Sequence, residues 1–236
     1  MKPAQPRAGR QSLQRFVGKH PRPRRMKYLL FLPRGCDTNP RQRWPLILFL
    51  HGADERGSDP RRILKNGLPR LVLEQPDFPF IVVSPQCPAR QAFDLPALLA
   101  LLDEVAAQHR VDKRRIYVTG ISMGGYAAWQ IGIEYPQRFA AIVPICGGGD
   151  VFPVYLANPA HERALRALPV WAFHGARDDI VPVAESERMV RVLREAGATD
   201  VRLTAYPDAG HEVWTETYKN PQLYEWLLSH ERKPAK

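Results

Sequence analysis

Ser122 has the sequence setting of a nucleophile. It lies at the centre of Gly-Ile-Ser-Met-Gly, residues 120–124, between an apolar run at 116–119 and an Ala-rich stretch at 127–132. A serine between a strand and a helix in this pattern sits in a strained turn, the nucleophile elbow, which exposes its Oγ above the sheet. Glycines at both ends let the strand and helix approach closely. The alternative is a strand–helix turn with an inert serine.

A base and an acid follow Ser122 along the chain. A serine hydroxyl needs a general base, and the base needs an anion that fixes its tautomer. We expect His211, which follows the apolar run 201–205, to be the base, and Asp178, which follows the run 170–173, to orient it. Asp179 is the alternative acid, and His174 is expected to brace the loop. The order serine, aspartate, histidine is the one seen in sheets of alternating strands and helices with this elbow.

An oxyanion hole is expected between two loops. Acyl transfer requires two N–H donors aimed at the oxygen that becomes negative. Met123, directly after the serine, supplies one in this scheme. The run 46–50 leads into His51-Gly52-Ala53, and the N–H of Ala53, or failing that Gly52, supplies the other. His51 is expected to brace this loop.

The residues that would shape a substrate pocket are less clearly marked. Trp214 lies three residues after His211 and either lines the pocket or packs in the core. Glu55 and Arg56 follow the oxyanion loop and either bind a polar substrate group or pair with each other. Residues 146–166 form the longest candidate lid, which is short, so we expect an open site that takes a modest acyl or aryl ester.

The elements that must position these residues alternate along the chain. Continuous apolar runs are typical of strands buried on both faces of a parallel sheet, and helical periodicity separates them. This alternation predicts an α/β fold, a doubly wound and mostly parallel sheet with helices on both faces, whose ligands sit at the carboxyl ends of the strands. The predicted strands are 28–32, 45–50, 80–84, 116–119, 141–145, 170–173 and 201–205, and the clearest helices are 95–108, 184–196 and 221–229.

Composition and charge limit the remaining possibilities. The 236 residues fit one domain, predicted at 26–236 and preceded at 1–25 by a basic extension whose composition is compatible with flexibility. Residues 1–45 hold 12 Lys/Arg and one acid, a net charge of +11 within a total of +10. We interpret this as a solvated extension, since Phe16 is the single aromatic among residues 1–25 and stacking surfaces for nucleic acid are scarce.

The cysteines and the hydropathy of the sequence indicate the cellular compartment in which the protein is expected. Three cysteines without regular spacing form neither a disulfide framework nor a zinc pattern. No apolar run approaches the roughly 18 residues of a membrane span, and no signal-peptide pattern is present. We therefore expect a cytoplasmic protein with a small-molecule ester substrate, no metal or cofactor, and no nucleic-acid or membrane partner; the oligomeric state stays open.

Together these motifs resemble the esterase and peptidase branch of the α/β-hydrolase superfamily, which includes feruloyl and acetyl-xylan esterases, polyhydroxybutyrate depolymerase-like proteins and dienelactone hydrolase-like proteins. The resemblance covers nearly the whole chain, about residues 28–228. It implies the α/β-hydrolase fold and ester hydrolysis through an acyl-enzyme, without a cofactor. Dienelactone hydrolases use a cysteine nucleophile, so Ser122 argues against that activity. The alternative hypotheses are a peptidase or amidase with the same three residues, and a non-catalytic binding protein on a hydrolase scaffold.

Overall fold

The computed structural model describes residues 6–18, 24–39 and 41–232. One sheet of eight strands runs through the molecule in the order β1-β2-β4-β3-β5-β6-β7-β8. Strands β1 and β2 are antiparallel to their neighbours, and β3 to β8 are parallel to one another. The strands are β1 (Arg10–Gly18), β2 (Arg24–Leu32), β3 (Trp44–Leu50), β4 (Ile81–Pro85), β5 (Val111–Ile121), β6 (Ala141–Ile145), β7 (Val170–Gly175) and β8 (Val201–Tyr206).

Helices cover both faces of this sheet, as the sequence predicts. They are α1 (Gly67–Leu71), α2 (Leu95–Gln108), α3 (Met123–Glu134), α4 (Phe152–Tyr155), α5 (Pro159–Arg166), α6 (Ala184–Glu195), α7 (Trp214–Lys219) and α8 (Pro221–Leu228). Short 3-10 helices span Arg34–Cys36, Ala53–Glu55, Pro60–Lys65 and Pro136–Arg138. The predicted lid, residues 146–166, contains α4 and α5, and α5 packs against the 3-10 helix that follows α3.

Strand β3 shows why continuous apolar runs form this sheet. Successive side chains of a strand point to opposite faces. Leu46, Leu48 and Leu50 therefore join the core beneath α2, α3 and α6, while Ile47 and Phe49 join the core beneath α1, α7 and α8. Every residue of β3 is buried, so both faces must be apolar.

The order of the strands brings the site together at one edge. From β3 the chain crosses to β4 on one side and then to β5 on the other, so the direction of winding reverses beside β3. Loops leaving the carboxyl ends of β3 and β5 diverge there, which opens a crevice at the point where ligands bind in such sheets. The loops after β3, β5, β7 and β8 carry the predicted site residues.

The edge of the sheet differs from the sequence prediction. Residues 10–18, which the sequence analysis places in a basic extension, form strand β1 and pair with β2 along its whole length. Gln14 and Phe16 are buried against the core, whereas Arg15 and Val17 face outward. The described part of this segment is therefore built into the sheet, which the basic composition of residues 1–25 as a whole conceals.

Within the described ranges, no helix combines the length and the apolar character that a membrane span requires.

Candidate active site

Ser122 occupies the turn between β5 and α3. Its φ of +53° lies in the left-handed region, which a residue with a side chain rarely adopts. The surrounding structure holds it there, since Ser122 N donates to Ile145 O at 2.9 Å and Tyr126 N donates to Ser122 O at 3.0 Å. A Cβ on Gly124 would overlap the carbonyl of Leu50, so only glycine permits this approach of α3 to β3.

Asp178 is anchored in the loop after β7. Its side chain is buried, and Oδ1 accepts hydrogen bonds from Ile180 N at 2.9 Å and Val181 N at 2.8 Å. Burial acts to raise the pKa of Asp178, but the hydrogen bonds from His211, Val181 and Ile180 together outweigh it and hold the pKa below its usual 3.8. The residue is therefore an anion at neutral pH.

His211 joins the serine and the aspartate. Its Nδ1 lies 2.7 Å from Asp178 Oδ2, and its Nε2 lies 2.9 Å from Ser122 Oγ. Because Asp178 is ionised, Nδ1 carries the proton and donates a hydrogen bond to the carboxylate. Nε2 of the neutral ring is then the acceptor for a hydrogen bond from the serine hydroxyl. The three side chains that the sequence analysis singles out thus form one hydrogen-bonded chain, while Asp179 is exposed.

Two loops are tied together so that this chain of hydrogen bonds can form. Ala176 N, directly after β7, donates to Tyr206 O at the end of β8, and Arg177 N donates to Ala209 O in the loop beyond, each at 2.9 Å. Cys146 adds a third tie from the end of β6, because its thiol donates to His211 O at 3.0 Å. These bonds fix the backbone on both sides of the Asp178–His211 contact.

His174 is a partner of Asp178 that the sequence analysis did not assign. It is fully buried at the end of β7, with Nε2 2.8 Å from Val181 O and 3.2 Å from Asp178 Oδ2. Its Nδ1 lies 2.8 Å from Ser186 Oγ. The spacing of four residues between His174 and Asp178 across a turn was the available signal, but it does not reveal which way the imidazole points.

The two residues expected to donate to an oxyanion both begin a helix. Met123 is the first residue of α3, and Ala53 is the first of the 3-10 helix after β3. The first N–H groups of a helix have no partner within it, so they are free to bind an anion. Both residues are partly exposed.

His51 holds the loop that carries Ala53. Its Nδ1 donates to Gly52 O at 2.7 Å, and its Nε2 accepts from Cys87 N at 3.0 Å. Burial lowers the pKa of His51 to about 4, so the imidazole is neutral and can play both parts.

The three pocket candidates have different environments. Trp214 meets His211 edge to face, with 5.6 Å between ring centroids, and also packs against the core. Arg56 Nε donates to Ala53 O at 3.0 Å, whereas Asn66 Nδ2 donates to Glu55 Oε1 at 2.5 Å. The ion pair between Glu55 and Arg56 that the sequence analysis offered as one alternative does not form, because Arg56 caps the loop carbonyl instead.

One group of possible metal ligands lies within the described residues beside this site. Ligand atoms of Cys146, His174 and Asp178 lie within 4.8 Å of one another. Burial raises the pKa of the Cys146 thiol to about 12, so the thiol keeps its proton and is a poor metal ligand. The hydrogen bonds given above already employ all three side chains, so the cluster is explained by the packing of the loops.

An α/β-hydrolase fold with a serine, a histidine and an aspartate in contact at the carboxyl edge of its sheet defines the class of the molecule. Residues 89–223, more than half of the chain, match the phospholipase/carboxylesterase family. The chain therefore belongs to that family of α/β-hydrolases.

Individual relatives agree with this membership. The chain is 25% identical over 193 residues to a bifunctional acetylxylan esterase/xylanase from Neocallimastix patriciarum, covering 77% of this chain and 26% of that protein. It is 32% identical to a thermostable esterase of known structure, with a TM-score of 0.76 over 93% of this chain and 63% of that one. A ferulic acid esterase shares the fold at 19% identity, with a TM-score of 0.71 over 92% and 96% of the two chains. The chain thus spans about a quarter of the curated relative and under two thirds of the thermostable esterase.

Proposed function

We propose that this protein is a serine esterase that cleaves small carboxylic esters through an acyl-enzyme, with Ser122 as nucleophile, His211 as general base and Asp178 as the residue that orients His211. The observation that carries the proposal is the hydrogen-bonded chain from Ser122 Oγ through His211 to Asp178. Membership of a carboxylesterase family supports it.

The reaction would proceed in two matching halves. Ser122 Oγ attacks the ester carbonyl while His211 Nε2 takes its proton, and the imidazolium that forms is stabilised by the anionic Asp178. His211 then returns the proton to the departing alcohol, leaving the acyl group on Ser122. A water molecule, activated by the same base, hydrolyses this intermediate and restores the serine.

Negative charge on the carbonyl oxygen would be stabilised by hydrogen bonds from backbone N–H groups. The oxygen becomes negative in each tetrahedral intermediate. Met123 begins α3 directly after Ser122, and Ala53 begins the 3-10 helix that follows β3, the strand next to β5, so the N–H groups of both residues are available as donors. Donors of this kind are preorganised, and losing one costs about 10²–10³-fold in rate in comparable sites. The positive end of α3 contributes in the same direction.

The proposal is tested by replacing the nucleophile. Ser122→Ala should lower hydrolysis of p-nitrophenyl acetate by several powers of ten and abolish labelling by a fluorophosphonate probe. Ser58→Ala is the matched control, since Ser58 is an exposed serine in the loop after β3. Circular dichroism should show both variants folded. Undiminished turnover or labelling in Ser122→Ala would remove the assignment.

Substrate size and bond type require two further assays. We propose an open site for modest acyl or aryl esters, so a p-nitrophenyl ester series from acetate to decanoate should favour the short chains. A sharp optimum at long chains would contradict this. An aminoacyl p-nitroanilide assayed in parallel should be cleaved much more slowly than the esters, and faster cleavage would make the protein an amidase.

A further inference from the structure

Glu55 is a buried acid that the proposed mechanism does not use. It ends the 3-10 helix that carries Ala53, and only 4% of its surface is exposed. Acidic side chains are rarely buried to this degree unless a cation or several hydrogen bonds accompany them.

The carboxyl group of Glu55 is only half satisfied. Asn66 Nδ2 donates to Oε1 at 2.5 Å, whereas no described residue donates to Oε2, which is not among the fully enclosed atoms and so stays open to a small hydrogen-bond donor. The nearby cations bind elsewhere, since Arg56 donates to Ala53 O and Arg62 donates to Asp54 O at 2.6 Å. No ion pair reaches Glu55 within the described ranges.

The free oxygen lies against the proposed oxyanion loop. A Cβ built on Gly52 would be 3.0 Å from Glu55 Oε2, so this oxygen borders the residue directly before Ala53. An oxyanion is stabilised by hydrogen-bond donors, and a carboxylate oxygen such as Glu55 Oε2 can only accept. Its negative charge next to the loop therefore opposes the negative charge that develops on the substrate. A hydrogen-bond donor on the bound substrate would give Oε2 a partner and would reduce the effect of its negative charge on the oxyanion.

The charges around the loop select among donors. Arg56 and Arg62 both bind carbonyl oxygens of residues 53–54 and bring positive charge to the loop. These two charges offset the negative charges of Asp54 and Glu55, so the loop has little net charge to attract an ammonium group, whereas a neutral hydroxyl group can donate to Oε2 without that attraction.

We propose that Glu55 determines specificity, with Oε2 accepting a hydrogen bond from a hydroxyl group of the ester substrate close to the scissile carbonyl. The preferred substrates are then hydroxylated esters, either of hydroxy acids or of polyols. This inference rests on the proposed esterase function and adds the chemical class of its substrate.

The test uses pairs of esters that differ by hydroxyl groups. p-Nitrophenyl lactate and propionate differ on the acyl side, and glycerol monoacetate and propyl acetate differ on the alcohol side. The wild type should prefer the hydroxylated member of at least one pair. Glu55→Gln keeps an oxygen for Asn66 but places an NH₂ group where Oε2 was, so it should reduce that preference by about ten- to a hundredfold in kcat/KM.

Asp54→Asn is the matched control, because it removes one negative charge from an exposed neighbour in the same loop. It should leave the preference intact. If Glu55→Gln does not fold, as judged by thermal melting, Glu55→Asp replaces it and should weaken the preference by withdrawing the carboxylate by one methylene.

Several outcomes would overturn the inference. They are a wild type without preference in either pair, a Glu55→Gln variant that keeps the preference, and a variant that slows both members equally, which would make Glu55 a brace for the loop. A wild type that hydrolyses no ester would instead overturn the proposed function, and this inference with it.

Discussion

His174 Nε2 lies 3.2 Å from Asp178 Oδ2, and both side chains are completely shielded from solvent. The same nitrogen faces the carbonyl of Val181, so both of its neighbours are acceptors and Nε2 must carry a proton. Asp178 Oδ2 is therefore held between two imidazoles, His174 from within the protein and His211 from the active-site side. This contact restricts the direction in which the carboxylate can present itself to His211.

The role of His174 can be separated from simple packing. His174→Gln retains an N–H near the position of Nε2, whereas His174→Leu fills similar space without a donor. We expect the leucine variant to lose about tenfold more kcat than the glutamine variant, because one hydrogen bond to a charged group is lost. Ester kinetics that resolve kcat from KM, with melting curves for both variants, measure this. Equal kcat values in the two folded variants would show that the N–H has no part in positioning Asp178.

Asp178 and Asp179 offer an adjacent pair for comparison. Asp178→Asn should lower kcat by about 10³–10⁴-fold, since an amide no longer fixes the required tautomer of His211. Asp179→Asn removes the same charge from an exposed neighbour and should stay within about twofold of the wild type. Steady-state hydrolysis of p-nitrophenyl acetate distinguishes them, and a reversed order would mean that the wrong aspartate has been assigned.

Gly124 should tolerate no side chain. A Cβ there would overlap the backbone of Leu50, which cannot move without displacing β3. We expect Gly124→Ala to reduce the free energy of unfolding by about 3 kcal/mol. Gly210→Ala is the control, because the nearest atom to its Cβ would be 3.9 Å away. Urea unfolding of the two variants measures the difference, and comparable stabilities would contradict the close approach of α3 to β3.

His51 should make stability depend on pH. Burial lowers its pKa from 6.5 to about 4 in the folded protein, so between these values the unfolded chain binds more protons than the folded one. The stabilisation is complete above pH 6.5 and is lost as the pH falls towards 4. Between pH 7 and pH 4.5 the loss should be on the order of 2–3 kcal/mol.

His51→Asn supplies the reference for that measurement, because asparagine does not titrate in this range. Urea unfolding at several pH values should give the wild type a steeper decline below pH 6.5 than the variant. Parallel declines would show that His51 ionises as readily in the folded protein as in the unfolded chain.

The central strands could be predicted because their environment leaves little choice. A strand covered by helices on both faces must be apolar at every position, as β3 is, and a run of that kind is visible without a structure. Strand β1 lacks this signal. It lies at the edge of the sheet, its outward residues include Arg15, and it is recognisable only through its pairing with β2.

The sequence also contained the residues of the candidate site, but not all of their contacts. Ser122, Asp178 and His211 could be proposed because each follows a predicted strand of a parallel sheet, whose carboxyl ends share one edge. The position of His174 beside Asp178, and the pairing of Glu55 with Asn66 in place of Arg56, could not. Side-chain directions in loops depend on neighbours that are remote along the chain.

Local pattern alone determined the apolar strands, the order of the helices, and the three residues placed at strand ends. Only the tertiary structure decided that their atoms meet at 2.7 and 2.9 Å, that residues 10–18 complete the sheet, and that none of the residues described in the structure donates to the second oxygen of Glu55. The physical reason is the distance along the chain over which each feature is determined. Hydrophobic periodicity is a property of consecutive residues, whereas hydrogen bonds among loops exist only after distant segments have packed together.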